Sequence, residues 1–335
     1  MSEAGTARYD RSPSPEFREL LRSDGFLAPL REKRRVAGVE LDLHLRRGDE
    51  VDLCCGLTCL VKSRWDGGDS VRIESSRTYA GQTCASDLFR PGRTRAINRE
   101  KYLRDVWDLG AGGFAQALDR FLADVQIAAR QTREGAVQAR WSQSREPWIA
   151  FDKEAALEYS SLPERRRHLA GVFREAVDDA RGELTALARR DGWAMPPGPK
   201  DSLKLDQLAV DTAGNLVLLE VKDASRGSSN VYYAPFQLLP NAWEWHFALN
   251  AVRRSLQDLL DARVELGLTP AHAPPVSGGI RAAVGFGEDG RSEKVRRRYG
   301  QVLEIANAHL PPGIAAVETW VLAEGRQPVR VDRRR

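Results

Sequence analysis

The stretch with the most chemical content runs from Leu205 to Lys222, in which Asp206 is followed, across a turn, by Glu220-Val221-Lys222. Leu203 to Val210 and Leu216 to Val221 read as strands joined by Asp211-Thr-Ala-Gly-Asn215, a composition that favours a hairpin. Side chains alternate along a strand, so Glu220 and Lys222 share a face while Val221 points into the core, and the strand carrying Asp206 lies alongside. Two carboxylates on neighbouring strands suit a hard divalent cation, Mg²⁺ or Mn²⁺, which prefers oxygen ligands. Such an ion polarises a phosphodiester oxygen and lowers the pKa of a bound water, while an ammonium at Lys222 orients that water and offsets charge in the pentavalent transition state. The bland alternative is an exposed Glu/Lys pair on an edge strand. The apolar run Val217-Leu-Leu that leads into Glu220 argues against it, because half-buried charges need partners.

The elements that must position these groups follow from periodicity. From Pro163, apolar residues at Leu169, Val172, Phe173, Ala176, Val177, Ala180, Leu184 and Leu187 predict one helix ending at Gly192. After a loop at Met195 to Asp201 and the hairpin, a helix-rich stretch is expected from about Tyr232 to Leu266, with a break or kink at Pro240. A strand (Ile280 to Phe286), a helix (Ser292 to His309) and a last strand (Val317 to Leu322) complete this half. Residues 30 to 90 carry short alternating runs that predict antiparallel strands. Residues 99 to 133, with Leu103, Val106, Trp107, Phe114, Leu118, Phe121, Leu122 and Val125, read as helical, interrupted near Gly110 to Gly113. The polar stretch Ser142 to Pro147 marks part of a domain boundary.

Asp206, a turn and then Glu220-Val-Lys222 resembles the PD-(D/E)XK nuclease superfamily, which includes restriction enzymes, archaeal Holliday-junction resolvases and RecB-like nucleases. The resemblance covers residues 160 to 325 and implies an α/β (α+β overall) fold with a restriction-endonuclease-like αβββαβ core, a mixed sheet flanked by helices. It implies Asp206, Glu220 and Lys222 as the catalytic core, with Glu183 and Gln237 completing the catalytic set, and Asp206, Glu220, Val221 and Glu183 as metal-holding positions for Mg²⁺ or Mn²⁺. Glu183 enters as the acidic residue of the preceding helix, with Glu175 as the alternative. Gln237 is similar to the glutamine that opens the second helix in RecB-like members. Asn241 stands where those members carry a tyrosine, and no proline adjoins Asp206.

Around this core the expected layout is a disordered tail at 1–15, an N-terminal β/α domain at 16–150 for recognition or partner binding, and a basic tail at 326–335. The 335 residues allow two domains, and no apolar run approaches the ~18 residues that span a bilayer. The first fifteen residues contain no apolar h-region, so a cytoplasmic location is expected. Net charge is only +4. Arginine clusters at 31–35, 165–167, 296–298 and 333–335 are either a nucleic-acid path or solvated faces. Cys54, Cys55, Cys59 and Cys84 contain no C-x-x-C pair, and the apolar segment around Cys54 reads as buried structural thiols rather than a zinc or iron–sulfur site. Tyr232, Tyr233, Trp243, Trp245 and His246 offer either stacking platforms for bases or core packing. Phosphate-loop, zincin and serine-hydrolase signatures do not occur in the sequence. The expected partner is nucleic acid, DNA foremost, with a homodimer or larger complex as the assembly. The competing reading is a non-cleaving nucleic-acid-binding or scaffold subunit on the same fold.

Overall fold

A computed structural model describes residues 7–36, 38–76, 88, 93–96, 99–125, 133–143, 146–198, 203–224, 229–288 and 290–331. The chain forms two units: residues 10–139 with 258–271, and residues 1–9 with 140–257 and 272–335. The architecture is mixed α/β.

In the first unit, α1 (Pro15–Leu21) starts where the Ser14 hydroxyl accepts a hydrogen bond from the Phe17 amide and Pro15 pre-sets the first turn. A short α2 (Ala28–Glu32) and the paired β1 (Arg35–Val36) and β2 (Val39–Glu40) follow. The sheet comprises β3 (Asp42–Arg46), β4 (Glu50–Cys55), β5 (Thr58–Trp65), β6 (Val71–Ser76), β7 (Arg93–Ala96) and β8 (Arg99–Asp105), antiparallel in the order β3-β4-β5-β6-β8-β7. Register sets Leu43, Leu45, Val51, Leu53, Val61 and Ile73 on one buried face, as period-2 alternation requires. Helix α3 (Gly110–Asp124) follows, burying Phe114, Leu118 and Phe121, and then α4 (Arg133–Gln143), whose residues from Arg140 on, Trp141 among them, belong to the second unit. Residues 99–105, expected to be helical, are instead strand β8, and Val106 follows it. The edge of β6 takes them in register from Arg72↔Asp105 to Ser76↔Lys101, and that ladder outweighs their helical spacing. The late segment 258–271 is tied to this unit by the buried Arg263, which donates to the Leu43 carbonyl at 3.0 Å, and by Glu265, which pairs with Arg18 and Arg22.

In the second unit, β9 (Trp148–Ala155), β10 (Leu205–Asp211), β11 (Leu216–Lys222), β12 (Ile280–Phe286), β13 (Val317–Val321) and β14 (Val329–Arg330) form one sheet, ordered β14-β13-β12-β11-β10-β9. The β9/β10, β10/β11 and β13/β14 pairs are antiparallel, and β11/β12 and β12/β13 are parallel. Parallel neighbours need crossover connections. Helices α5 (Leu162–His168) and α6 (Val172–Asp191) precede the β10/β11 hairpin, α7 (Ser229–Tyr232) and α8 (Ala234–Glu265) connect β11 to β12, and α9 (Glu293–Ala308) connects β12 to β13. The helix expected from Pro163 is therefore two, divided at Gly171, whose φ of 91° suits glycine. Pro240 sits inside α8 without ending it. Gly285 on β12 is required for close approach, since a Cβ there would lie 2.8 Å from the Trp141 indole, which donates to the Phe286 carbonyl.

Strand β9 begins directly after the stretch Ser142 to Pro147 read as part of a boundary, where no strand was expected. Ala7 and Tyr9, expected in a loose tail, are buried. Arg8 bridges to Glu158, and the Tyr9 hydroxyl donates to Asp152. Val329 and Arg330, expected in a basic tail, extend the sheet. Residues 1–6 and 332–335 and Cys84 lie outside the described residues. Among the described residues, no helix is long and apolar enough to cross a membrane.

Candidate active site

The β10/β11 hairpin is fixed by its turn. Asp211 accepts hydrogen bonds from the Ala213 and Asn215 amides, from the Asn215 side chain and, at 2.7 Å, from Arg281 on β12. Burial alone raises the Asp211 carboxyl pKa, but these donors hold it below the usual carboxylate range. Gly214, at φ 79°, completes the turn. Register then runs Val210↔Leu216 to Gln207↔Leu219, so Asp206 and Glu220 are next in line at the far end of the hairpin.

There the three predicted groups meet. Lys222 Nζ lies 2.7 Å from Glu220 Oε1 and 3.6 Å from Asp206 Oδ2. The same Asp206 oxygen accepts the Val221 amide at 2.7 Å, which fixes the carboxylate across the two strands. Glu220 and Lys222 are 6% and 8% exposed, and the Asp206 side chain is 20% exposed, so the cluster is shielded from water but open on the aspartate side. The Val221 side chain is buried, leaving only its carbonyl oxygen for an ion.

Glu220 lines a cleft of about 740 Å³ together with residues of α5, α6, α8 and the loop before β10. Its walls are apolar at Leu162, Leu169, Phe173, Leu203 and Phe236, and its polar groups are mostly cationic: Arg165, Arg166, Arg174, Arg181 and Lys204 against Glu220 and Asp178. Arginine forks along a cleft match phosphate oxygens. Gln237 lines the same cleft, one helical turn from Asn241, whose Oδ1 is buried without a hydrogen-bond partner. Arg165 donates at 2.6 Å to the buried Glu244, whose carboxyl is pushed up by burial despite Arg165 and Tyr159.

Glu183 is placed elsewhere. Its side chain is 54% exposed and pairs with His309 at 2.8 Å. Consecutive residues turn by about 100° on a helix, so Glu183, five residues beyond Asp178, points about 140° away from it. The acidic residue that α6 turns toward the cleft is Asp178, paired there with Arg181; neither Glu183 nor Glu175 lines it. The apolar stripe of α6 (Val177, Ala180, Leu184, Ala188) leaves Asp178 and Glu183 on its two flanks about equally, so the sequence carries no signal that separates them. Among the described residues, no third carboxylate completes the Asp206/Glu220 pair into a larger ligand cluster. Most aromatic residues after the hairpin are interior, but His246 is half-buried and Phe247 is 42% exposed. Tyr232, Tyr233, Trp243 and Trp245 are each under 7% exposed, Tyr233 donates to the Ala194 carbonyl and Trp243 to that of His309. They pack the core rather than offering stacking faces.

The donor set at the hairpin end fits a hard divalent ion. Two carboxylates suffice for Mg²⁺, which usually retains several waters and takes its remaining ligands from substrate phosphate. Compared with protein-family models, curated proteins and solved structures, the chain matches none of them.

Proposed function

We propose that this protein is a Mg²⁺- or Mn²⁺-dependent nuclease that hydrolyses phosphodiester bonds, with DNA as the substrate. The observation that carries the reading is the meeting of Asp206, Glu220 and Lys222 at one hairpin end, beside a cleft lined by five cationic side chains. The strand arrangement supports the resemblance to PD-(D/E)XK nucleases. The antiparallel β9, β10 and β11, then α8, then the parallel β12, supply three strands, a helix and a strand. The helix that an αβββαβ core puts first stands here, as α6, between the first and second strands.

In this reading Asp206 and Glu220 hold the ion, with the Val221 carbonyl beside them. The bound ion supplies Lewis acidity toward a phosphodiester oxygen. Lys222 presents its ammonium where negative charge grows in the transition state, and its low exposure strengthens that interaction. Arg166, Arg174 and Lys204 receive flanking phosphates along the cleft, and the Gln237 amide orients the reacting group from α8.

One feature favours the second reading, a non-cleaving nucleic-acid-binding or scaffold subunit: the Lys222 ammonium, 2.7 Å from Glu220 and 3.6 Å from Asp206, can itself serve as counter-charge to the carboxylates. The test is to incubate the purified chain with plasmid, linear and single-stranded DNA and with RNA, in Mg²⁺, Mn²⁺ or chelator, beside Glu220→Gln. Metal-dependent cleavage of DNA that Glu220→Gln abolishes supports the nuclease. Retained binding without cleavage in either metal rejects it in favour of the subunit.

A further inference from the structure

The first unit carries a second set of ligating groups, on the sheet face opposite the Leu43, Val51 and Leu53 layer. Strand β4 places Asp52 and Cys54 two residues apart and so on one face, while Cys55 falls on the other. Register sets Cys59 opposite Cys54 and Lys62 opposite Asp52, with an irregularity at Leu53/Cys54 absorbing the unequal spacing on β5. As a result, a carboxylate oxygen of Asp52 and the sulfurs of Cys54 and Cys59 all lie within 4.8 Å of one another. Asp52 and Cys54 are 5% and 6% exposed, Cys59 is part-buried, and both thiols are free.

We propose that Asp52, Cys54 and Cys59 form a binding site for Zn²⁺, with water as the fourth ligand. Two sulfurs and a carboxylate oxygen belong to the zinc donor set, whereas the thiols disfavour Mg²⁺ or Ca²⁺. A tetrahedral site with Zn–S of about 2.3 Å has ligand–ligand edges of about 3.8 Å, so the trio closes by adjustments of about 1 Å. Two thiol protons pass to solvent as the thiolates ligate. The trio then carries three negative charges against the ion's two positive ones. Arg46, 3.0 Å from Asp52 Oδ2, faces the remainder. Lys62 touches Asp52 Oδ1 and Glu50 Oε1 at the same 3.3 Å, so turning wholly to Glu50 frees the ligand oxygen. The ion would clamp β4 to β5 next to their turn. This site belongs to the first unit and stands or falls independently of the nuclease reading.

The test uses the full chain, produced with zinc supplied and purified reduced, without chelator. Elemental analysis is expected to give one zinc per chain, and Co²⁺ exchanged into the site is expected to show a thiolate charge-transfer band. Both signals are lost in Cys54→Ser and in Cys59→Ser and kept in Cys55→Ser, whose thiol faces the other side. Should either serine variant fail to fold, alkylation of the parent chain reads the same site. Zn²⁺ protects Cys54 and Cys59 against iodoacetamide, as mapped by mass spectrometry, and chelator exposes Cys59. Absence of zinc, zinc retained in both serine variants, unprotected thiols, or a Cys54–Cys59 disulfide in the freshly purified chain overturns the proposal.

Discussion

Replacing Lys222 with methionine removes the ammonium while keeping a stem of similar length, and its consequences can be worked from the site. The Lys222 and Glu220 side chains are 10% and 8% exposed, and Nζ contacts Glu220 at 2.7 Å and Asp206 at 3.6 Å. Removing one partner of a buried ion pair costs about 3–5 kcal/mol, because the other charge is left without compensation. The opening on the Asp206 side puts Lys222→Met at the lower end, about 3 kcal/mol. For a unit of this size that lowers the melting temperature by roughly 6–12 °C in chelator. Two carboxylates without their ammonium bind a divalent ion more tightly, and each tenfold gain in affinity returns about 1.4 kcal/mol at saturating ion. Mg²⁺ should therefore raise the melting temperature of Lys222→Met more than that of the parent. Cleavage under the same Mg²⁺ should fall about 10²–10³-fold, the loss expected when a preorganised donor to transition-state charge is removed. Calorimetry with and without Mg²⁺, alongside a plasmid-nicking assay, reads both effects. A variant that cleaves at the parental rate refutes the role given to Lys222. One that melts with the parent in chelator refutes the buried-pair argument.

Further outcomes follow from the same geometry. Glu183→Ala should leave cleavage unchanged and cost under about 1 kcal/mol in urea unfolding, since it breaks only an exposed pair with His309; a loss of cleavage as large as that of Glu220→Gln would put Glu183 in the site. Arg165→Ala leaves the Glu244 carboxylate buried and should cost about 3–5 kcal/mol, most of it recovered in the double variant with Glu244→Leu, as a double-mutant cycle by chemical denaturation will show. Asp211, held ionised by Arg281 and Asn215, contributes stability that is fully present above its unfolded pKa of about 3.9 and lost as pH falls through its lower folded value. Urea midpoints from pH 7 to pH 2 should therefore fall less steeply on the acid side in Asp211→Asn, and an unchanged slope would refute this.

The hairpin, and the company its ends keep, were legible in the residues alone. Asp211-Thr-Ala-Gly-Asn215 can scarcely be anything but a turn, and the period of two in the runs on either side fixes which side chains share a face with Glu220 and Lys222. The helices and strands from Ala234 to Val321 were legible for the same reason, as long apolar patterns of one period bounded by glycine and proline.

The rest was settled by pairing and packing between distant segments. Residues 99–105 became a strand because β6 offered a ladder that local spacing does not reveal. Trp148–Ala155 joined the sheet beside β10, although 49 residues separate the two strands in the sequence. Tyr9 was drawn from an apparent tail into the core, because Asp152 and Trp245 wait for it there. The acidic residue on α6 that meets the cleft is Asp178 rather than Glu183, because the rotation of a helix about its own axis is set by what its apolar stripe packs against. The trio Asp52, Cys54 and Cys59 has no metal-binding spacing along the chain. It exists because an irregularity between β4 and β5 brings three side chains to one face, and such an offset is a property of two strands together.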